Sequence, residues 1–230
     1  MDKLKIGNPR VNLHEEARIV VPTKNILQPG ELGATIELIV KEGIFNPHGE
    51  IIKRIGPKKS ESFLRQFLEM LYMHAVPLYP NFKFPVNDTS NVTQYITATS
   101  KSFDVTAASG DVNKGILVGT GNAAPAINDY ALQTKIAHGT GAGQLSYGAV
   151  TFGATASDTT TSQFTVTRNF ANSSGNPITV NEIGLACSSG RMGNTITTYY
   201  FLIIRDVIGG GIAVPNGQTL TVNYRPQCVV

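Results

Sequence analysis

The sequence predicts a mainly β protein whose C-terminal part folds as an antiparallel β-sandwich of jelly-roll or immunoglobulin-like type. Between residues 88 and 230, about nine segments rich in β-branched and aromatic residues alternate with short polar loops. No crossover helix is predicted between these segments, and parallel neighbours would need one. The part before residue 88 combines strands with one amphipathic helix, so we expect a small α+β domain there.

The composition of the chain changes near residue 88, which predicts a domain boundary. Residues 1–87 contain 12 Lys and Arg and 9 Asp and Glu, whereas residues 88–230 contain 7 of each. Gly, Thr, Ser and Asn concentrate in the second part. The segment Pro80–Asn91, with its prolines and turn formers, is the predicted linker. We expect 1–87 to contact neighbouring subunits and 88–230 to form the sandwich.

Three strands are predicted before the helix, at Ala17–Pro22, Gly33–Glu42 and Gly49–Ile55. In the second of them two sets of residues alternate, which predicts one buried face and one wet face. The buried set is Ile36, Leu38 and Val40, and the wet set is Thr35, Glu37 and Ile39.

One helix is predicted from Glu61 to about His74. Ser60 can cap its N-terminus, and Pro77 ends it. Apolar residues at helical spacing form a broad stripe, which we expect to pack on the preceding sheet or on a neighbouring subunit. The stripe consists of Phe63, Leu64, Phe67, Leu68, Leu71 and Tyr72.

The predicted strands after residue 88 finish with the most regular pattern in the chain. Tyr199–Val207 is apolar and aromatic, and Gln218–Tyr224 alternates polar with apolar residues. Asn216 and Gly217 supply the positive φ values of a tight turn, so a hairpin is predicted. Its apolar face comprises Leu220, Val222 and Tyr224. The other predicted strands are Gln94–Thr99, Ser102–Ala107, Gly115–Gly119, Ala131–Ile136, Ala149–Phe152, Gln163–Arg168 and Ile178–Ala186.

Charge, cysteine content and the N-terminus narrow the classes of function. The net charge of +3 is small and dispersed, so no direct nucleic-acid partner is expected. Cys187 and Cys228 are predicted to be separate free thiols. The first residues have no apolar signal region, and no apolar run approaches the roughly 20 residues of a transmembrane helix. We therefore expect synthesis in the cytosol and no membrane association, and we interpret the sequons at Asn91 and Asn172 as ordinary loop residues.

We predict no catalytic, cofactor-binding or metal-binding residues in this sequence. The glycine-rich stretches 119–121 and 139–143 lack the lysine and the helix of a phosphate loop and are interpreted as flexible connections. Ser146 lacks a nucleophile elbow, and Cys187 lacks an obvious histidine partner. His138, beside the second glycine-rich stretch, is the one histidine worth testing; a metal site assembled from distant segments is the weaker alternative. The remaining histidines are His14, His48 and His74, and the loop aspartates, interpreted as solvated turn residues rather than calcium ligands, are Asp104, Asp111, Asp129 and Asp158.

Two charged features favour structural roles. Glu182 lies inside an apolar strand, and a carboxylate there needs a partner, which Arg168 or Arg205 can supply across the sheet. We expect a structural ion pair rather than a catalytic acid. The basic cluster of the chain is interpreted as a solvated rim rather than a phosphate track, because no aromatic residues are interleaved with it. It consists of Lys53, Arg54, Lys58 and Lys59.

The segment Gly115–Phe152 and the motifs that follow it resemble C-terminal β-modules in structural proteins of tailed bacteriophages and prophages. The matching motifs are Asn181–Leu185 (NEIGL), Ile204–Val207 (IRDV) and, after a Pro-x-Gly turn, Thr219–Tyr224 (TLTVNY). The similarity covers roughly residues 92–227. It implies a virion component of the head-decoration or tail type, without indicating which one, and no individual binding or catalytic residue carries over.

This resemblance and the residues together predict a non-enzymatic structural protein of a phage-like virion, either a capsid or a tail component. We expect it to form a homo-oligomer through sheet edges and an extended N-terminal arm, and to bind other virion structural proteins. Neutral polar surfaces rich in Thr, Ser and Asn suit wet interfaces, because burying them costs less than burying charges.

Two alternatives from other classes remain open. One is a glycan- or receptor-binding β-sandwich module of a fibre or surface appendage, against which the absence of Trp argues because sugars usually stack on aromatic rings. The other is a hydrolase on a β scaffold, which a substrate panel would reveal if Ser146→Ala or His138→Ala abolished turnover.

Overall fold

The computed structural model describes residues 26–29, 31–60, 63–75, 84–96, 103–191 and 197–230. Within these ranges the protein is mainly β, every strand pair is antiparallel, and there is one helix, α1 (Arg65–Ala75). The strands are β1 (Leu32–Glu42), β2 (Ile51–Ser60), β3 (Phe84–Asn87), β4 (Thr93–Ile96), β5 (Gly115–Gly119), β6 (Ser146–Phe152), β7 (Ala156–Ser157), β8 (Thr161–Gln163), β9 (Val166–Ala171), β10 (Ile178–Arg191), β11 (Thr197–Val214) and β12 (Gln218–Val229).

The larger sheet is built around the pair β1 and β12. These strands lie opposite each other over their whole length, from Leu32 opposite Cys228 to Glu42 opposite Gln218. On its other side β12 pairs with β9 and then with β8, while β2 flanks β1. The sheet therefore contains strands from both sides of residue 88, where the domain boundary stays a prediction. A second sheet has the order β11-β10-β5, and β3 pairs with β4.

The alternation predicted for β1 and β12 is confirmed on the core side. Ile36, Leu38 and Val40 are fully buried, as are Leu220, Val222 and Tyr224 of β12. The prediction of a wet opposite face is wrong, because Thr35 and Glu37 are also buried. With neighbours on both sides of β1, long side chains cover that face: the Glu37 carboxylate accepts hydrogen bonds from Arg54 and Asn223.

The predicted hairpin between Tyr199–Val207 and Gln218–Tyr224 does not form. The glycines at 209–211 do not end the strand: Gly210 and Gly211, at φ values of 77° and 62°, bend β11, which continues to Val214 along β10. The turn after it leads into the other sheet. Gly217 adopts the expected positive φ of 82°, and the Gln218 N–H donates to the Pro215 carbonyl.

Asn172 stabilises this turn through its side chain and is not the ordinary loop residue that we expected. Its side chain is fully buried, and its amide nitrogen donates to the carbonyls of Val214, at 2.7 Å, and Asn176, at 2.8 Å. The Gly217 N–H donates to the Asn172 carbonyl. Asn91, of the other sequon, lies in a turn at a φ of 60° and is exposed.

Other predicted strands show mixed outcomes. Gly115–Gly119 is β5 as predicted, whereas the predicted strand at Gln163–Arg168 is divided between β8 and β9. Ala131–Ile136 and the described part of Ser102–Ala107 form only isolated bridges, Lys135 with Gly119 and Asp104 with Ser188. The predicted strand at Ala17–Pro22 lies outside the described residues.

The helix begins later than predicted, and only part of the predicted stripe, Phe63, Leu64 and Phe67, packs on the core. Ser60 is not its cap but the last residue of β2, and its hydroxyl donates to Asp206. Phe63 and Leu64 precede the helix and bind the edge of β11, where the Leu64 N–H donates to the Ile203 carbonyl at 3.0 Å. This attachment sets the helix phase. Its buried residues are Gln66, Met70 and Met73, whereas Leu68, Leu71 and Tyr72 of the predicted stripe are 61%, 42% and 50% exposed.

Candidate functional site

Glu182 is the centre of the most highly connected polar cluster in the described part of the chain. It lies in the middle of β10, is completely buried, and both its oxygens are saturated. Oε1 accepts the N–H groups of Gly121, at 3.1 Å, and Thr134, at 2.7 Å. Oε2 accepts the N–H of Gln133 at 2.9 Å and lies 2.9 Å from both Nε and Nη2 of Arg205. Hydrogen bonds of this kind offset the desolvation of a buried carboxylate.

Arg205 is therefore the partner of Glu182, and this alternative of the sequence prediction is confirmed. The register places Gly184 opposite Arg205 and Glu182 opposite Val207, so the two charged side chains are diagonal neighbours on one face. Arg205 is also buried, and its Nη1 donates to Asp129 Oδ2 at 2.8 Å. Its Nη2 donates to the Ala123 carbonyl. The cluster thus holds two carboxylates and one guanidinium.

These charges hold the segment 120–136, which we call the pinned loop. Besides the three N–H groups that bind Glu182, the Gln133 side-chain oxygen accepts the N–H groups of Asn122 and Ala123, each at 3.0 Å. Gly121 is required by close approach, because a Cβ there would lie 2.5 Å from Glu182 Oε1. The interpretation of residues 119–121 as a flexible connection is therefore wrong; the stretch is held tightly against β10.

A surface concavity of about 360 Å³ opens where the pinned loop passes Arg205. Its polar lining consists of Asp129, Tyr130, Gln133 and Arg205, and the remaining lining side chains are alanines and one leucine. Sequence reasoning missed this site because it treated Ala131–Ile136 as a strand. The glycines on both sides of Thr120 were the signal that the backbone there approaches another group closely.

Arg168 occupies a separate buried site in the larger sheet. Its five donated hydrogen bonds all go to backbone carbonyls, those of Ala108, Asp111, Lys114, Ile116 and Gly148. Its guanidinium lies 4.9 Å from the centre of the Tyr147 ring, a cation–π distance. Burial lowers the pKa of Arg168. This arginine fixes the loop before β5 to β9 and has no contact with Glu182.

The predicted nucleophile and base candidates do not come together. His138 Nδ1 accepts the N–H of Tyr147 at 3.0 Å, whereas the Ser146 hydroxyl donates to the Gly139 carbonyl. The Cys187 thiol is fully buried against Met70, with 3.5 Å between the sulfurs, and burial raises its pKa. Neither Ser146 nor Cys187 hydrogen-bonds to a histidine within the described ranges.

The loop aspartates and the basic cluster form hydrogen bonds and ion pairs with other residues of the same chain. Asp104 accepts hydrogen bonds from Lys114 and Thr106; burial alone would raise its pKa, but these contacts outweigh it and lower the pKa to about 2. Asp111 and Asp158 cap their own turns. In the basic cluster Arg54 binds Glu37 and Lys59 binds Glu31. Where the chain is described, no three His, Cys, Asp or Glu residues are placed to hold a metal ion.

Comparison with known proteins returned no match. No family model, no curated protein and no solved structure matches the sequence. Among the described residues, no helix has both the length and the apolar character needed to cross a membrane.

Proposed function

We propose that this chain is a non-enzymatic structural protein of a bacteriophage-like virion, a capsid or tail component that assembles with copies of itself and with other virion proteins. The observation that carries the proposal is the location of the three motifs that resemble phage structural modules. They lie in β10, β11 and β12, and their charged and tyrosine side chains join these strands to one another.

The contacts of these motifs favour a shared fold over shared chemistry. The NEIGL motif supplies Glu182 and the IRDV motif supplies Arg205, which form the buried pair. The next residue, Asp206, accepts the hydroxyl hydrogen of Tyr224 from the third motif at 2.8 Å and that of Ser60 at 2.7 Å. Each motif thus serves to hold strands together, as expected of a module that recurs for its architecture.

We also propose that the two larger sheets face each other as the predicted antiparallel β-sandwich of jelly-roll or immunoglobulin-like type. Side chains cross from one sheet to the other: the Tyr147 hydroxyl on β6 contacts the Val118 carbonyl on β5, and Tyr224 on β12 contacts Asp206 on β11. Buried apolar residues of both sheets and of α1 form one continuous cluster, which supports a common core between them.

Contacts between copies need a sheet edge that the chain does not itself cover. The edge of β11 is covered by Phe63 and Leu64 and that of β5 by the pinned loop, through the Ile136 N–H that donates to Val118. The edge of β2 has no described neighbour beyond β1. Ile51 and Ile52 at its start are each 49% exposed.

We place the N-terminal arm of a neighbouring copy on this edge. The predicted strand Ala17–Pro22 follows the acidic pair Glu15 and Glu16, which complements Lys53 and Arg54 of β2. Proline lacks the donor for a strand ladder, so Pro57 limits the pairing to the first half of β2.

Size-exclusion chromatography with light scattering, together with negative-stain microscopy, tests this assembly. We expect the full chain to form an oligomer, ring, tube or lattice, and Ile52→Lys to weaken it by adding charge to the contact edge. Val92→Lys, in the turn between β3 and β4 where Val92 is 51% exposed, is the matched control and should leave the oligomer intact. A strictly monomeric full chain at high concentration would contradict the proposal.

A further inference from the structure

The loop beside the concavity is held in place by hydrogen bonds within the chain. The segment around it has no regular secondary structure, yet Glu182 holds three of its backbone N–H groups and Gln133 holds two more. Asp129 Oδ2 accepts the Ala126 N–H at 2.9 Å in addition to Arg205. A site whose walls are fixed in advance loses little conformational entropy when it binds a ligand.

Three polar groups of the residues that line this concavity take no part in the hydrogen bonds that hold the loop. The internal hydrogen bonds use Oδ2 of Asp129 and Oε1 of Gln133, so the other carboxylate oxygen and the amide nitrogen have no partner within the described ranges. The Tyr130 hydroxyl also has none, and its side chain is 38% exposed. Asp129, Gln133 and Tyr130, which carry this acceptor, donor and hydroxyl, are all lining residues of the same concavity.

Charge and shape select the class of ligand. Two carboxylates and one guanidinium leave the cluster with a net charge of about −1, and Arg205 is already bound to Glu182 and Asp129, so an anion gains little there. A sugar carries several hydroxyls, each of which can donate to a carboxylate or accept from an amide N–H. The Tyr130 ring and the alanine side chains offer an apolar surface to the C–H face of such a ring.

We propose that this concavity binds one neutral hexose unit of a glycan. Its volume of about 360 Å³ lies at the lower end of the range of about 300–1,000 Å³ for ligand sites, which suits a single sugar ring with water. Asp129 and Gln133 recognise neighbouring hydroxyls, and Tyr130 packs against the ring. The site goes beyond the structural role proposed above and does not depend on it.

Saturation-transfer NMR on the full chain tests the site, because the method tolerates large assemblies. The probes are the methyl glycosides of glucose, galactose and mannose, with choline as a cationic probe and sialic acid as an anionic one. We expect transfer to at least one neutral hexoside, no competition by the two charged probes, and roughly a tenfold or greater loss of affinity in Tyr130→Ala. Tyr95→Ala, which removes an exposed tyrosine on β4, should bind as the wild type does.

Three results would overturn the proposal: no transfer to any neutral hexoside, equal binding by Tyr130→Ala and the wild type, or displacement of the sugar by choline. Circular dichroism and the melting temperature of each variant establish that it is folded, and Tyr130→Phe, which keeps the ring, is the second variant should Tyr130→Ala not fold. Its affinity should fall between those of the wild type and Tyr130→Ala. Light scattering on the same samples separates the two proposals, since a missing sugar site leaves the oligomer unaffected and a monomer can still bind sugar.

Discussion

Replacing Glu182 with glutamine preserves the shape of the side chain and removes its charge and one of its acceptor oxygens. Each oxygen of Glu182 accepts from two groups, Oε1 from Gly121 and Thr134 and Oε2 from Gln133 and Arg205. The amide nitrogen of the new side chain must therefore face two donors in either orientation. Arg205 also loses its fully buried counter-charge and retains Asp129 alone.

The expected loss follows from these contacts. A buried donor without a partner costs about 1–3 kcal/mol, and breaking a buried ion pair costs about 3–5 kcal/mol in total. We therefore expect Glu182→Gln to lower the free energy of unfolding by about 3–5 kcal/mol, a large share of the roughly 5–15 kcal/mol typical of a folded domain. Glu69→Gln is the control, since Glu69 pairs with Arg65 one helical turn away and the Arg65 side chain is 44% exposed, and it should cost about 0.5 kcal/mol or less.

Urea denaturation of the single and double variants measures both effects. A double-mutant cycle of Glu182→Gln with Arg205→Met should give a coupling energy of about 2 kcal/mol or more, whereas the cycle with Arg168→Met should be additive within about 0.5 kcal/mol. The reasoning is refuted if Glu182→Gln costs no more than Glu69→Gln, or if Arg168 couples to Glu182 as strongly as Arg205 does.

Two further predictions concern titration and thiol chemistry. The pKa of Asp104 is lowered to about 2, below its value in the unfolded chain, so its contribution to stability is present above about pH 4 and is lost as the pH falls through about 2. After allowance for partial exposure, Asp104→Asn should cost about 1–2 kcal/mol in urea denaturation at pH 7 and well under half of that at pH 2; an equal cost at both pH values would contradict this. Both cysteines are free, Cys228 exposed and Cys187 buried with a raised pKa, so a chromogenic disulfide reagent should titrate one thiol in the native protein and two in denaturant. Reaction of two thiols in the native protein would show that Cys187 is accessible and would contradict this prediction.

The sequence alone located several elements well. The core faces of β1 and β12 follow from two-residue alternation, a property of each strand by itself, and β5 has the predicted limits. The need of Glu182 for an arginine partner was also predictable, because an isolated carboxylate in an apolar strand is costly. These predictions depend only on residues close together in the chain.

Predictions that required knowledge of distant neighbours were less successful. The predicted orientation of α1 was wrong because Phe63 and Leu64 hydrogen-bond to the edge of β11 and therefore lie outside the helix. The prediction of a hairpin before Gln218 was wrong because alternating polar and apolar residues, together with turn-forming residues, do not determine which sheet the next strand joins. The site at the pinned loop was missed because its backbone is ordered by side chains from β10 and β11 rather than by its own pattern.

By itself, the sequence determined the core-facing positions of β1 and β12, the β character of most later segments and the need of Glu182 for an arginine partner. The tertiary structure alone decided that β12 pairs with β1 and that Arg205, rather than Arg168, neutralises Glu182. The physical reason is that alternation is fixed by the geometry of one backbone, whereas pairing and register depend on which distant faces compete to be buried. Arg168 lies on β9 in the other sheet, and the diagonal register of β10 with β11 brings Arg205 to the carboxylate instead.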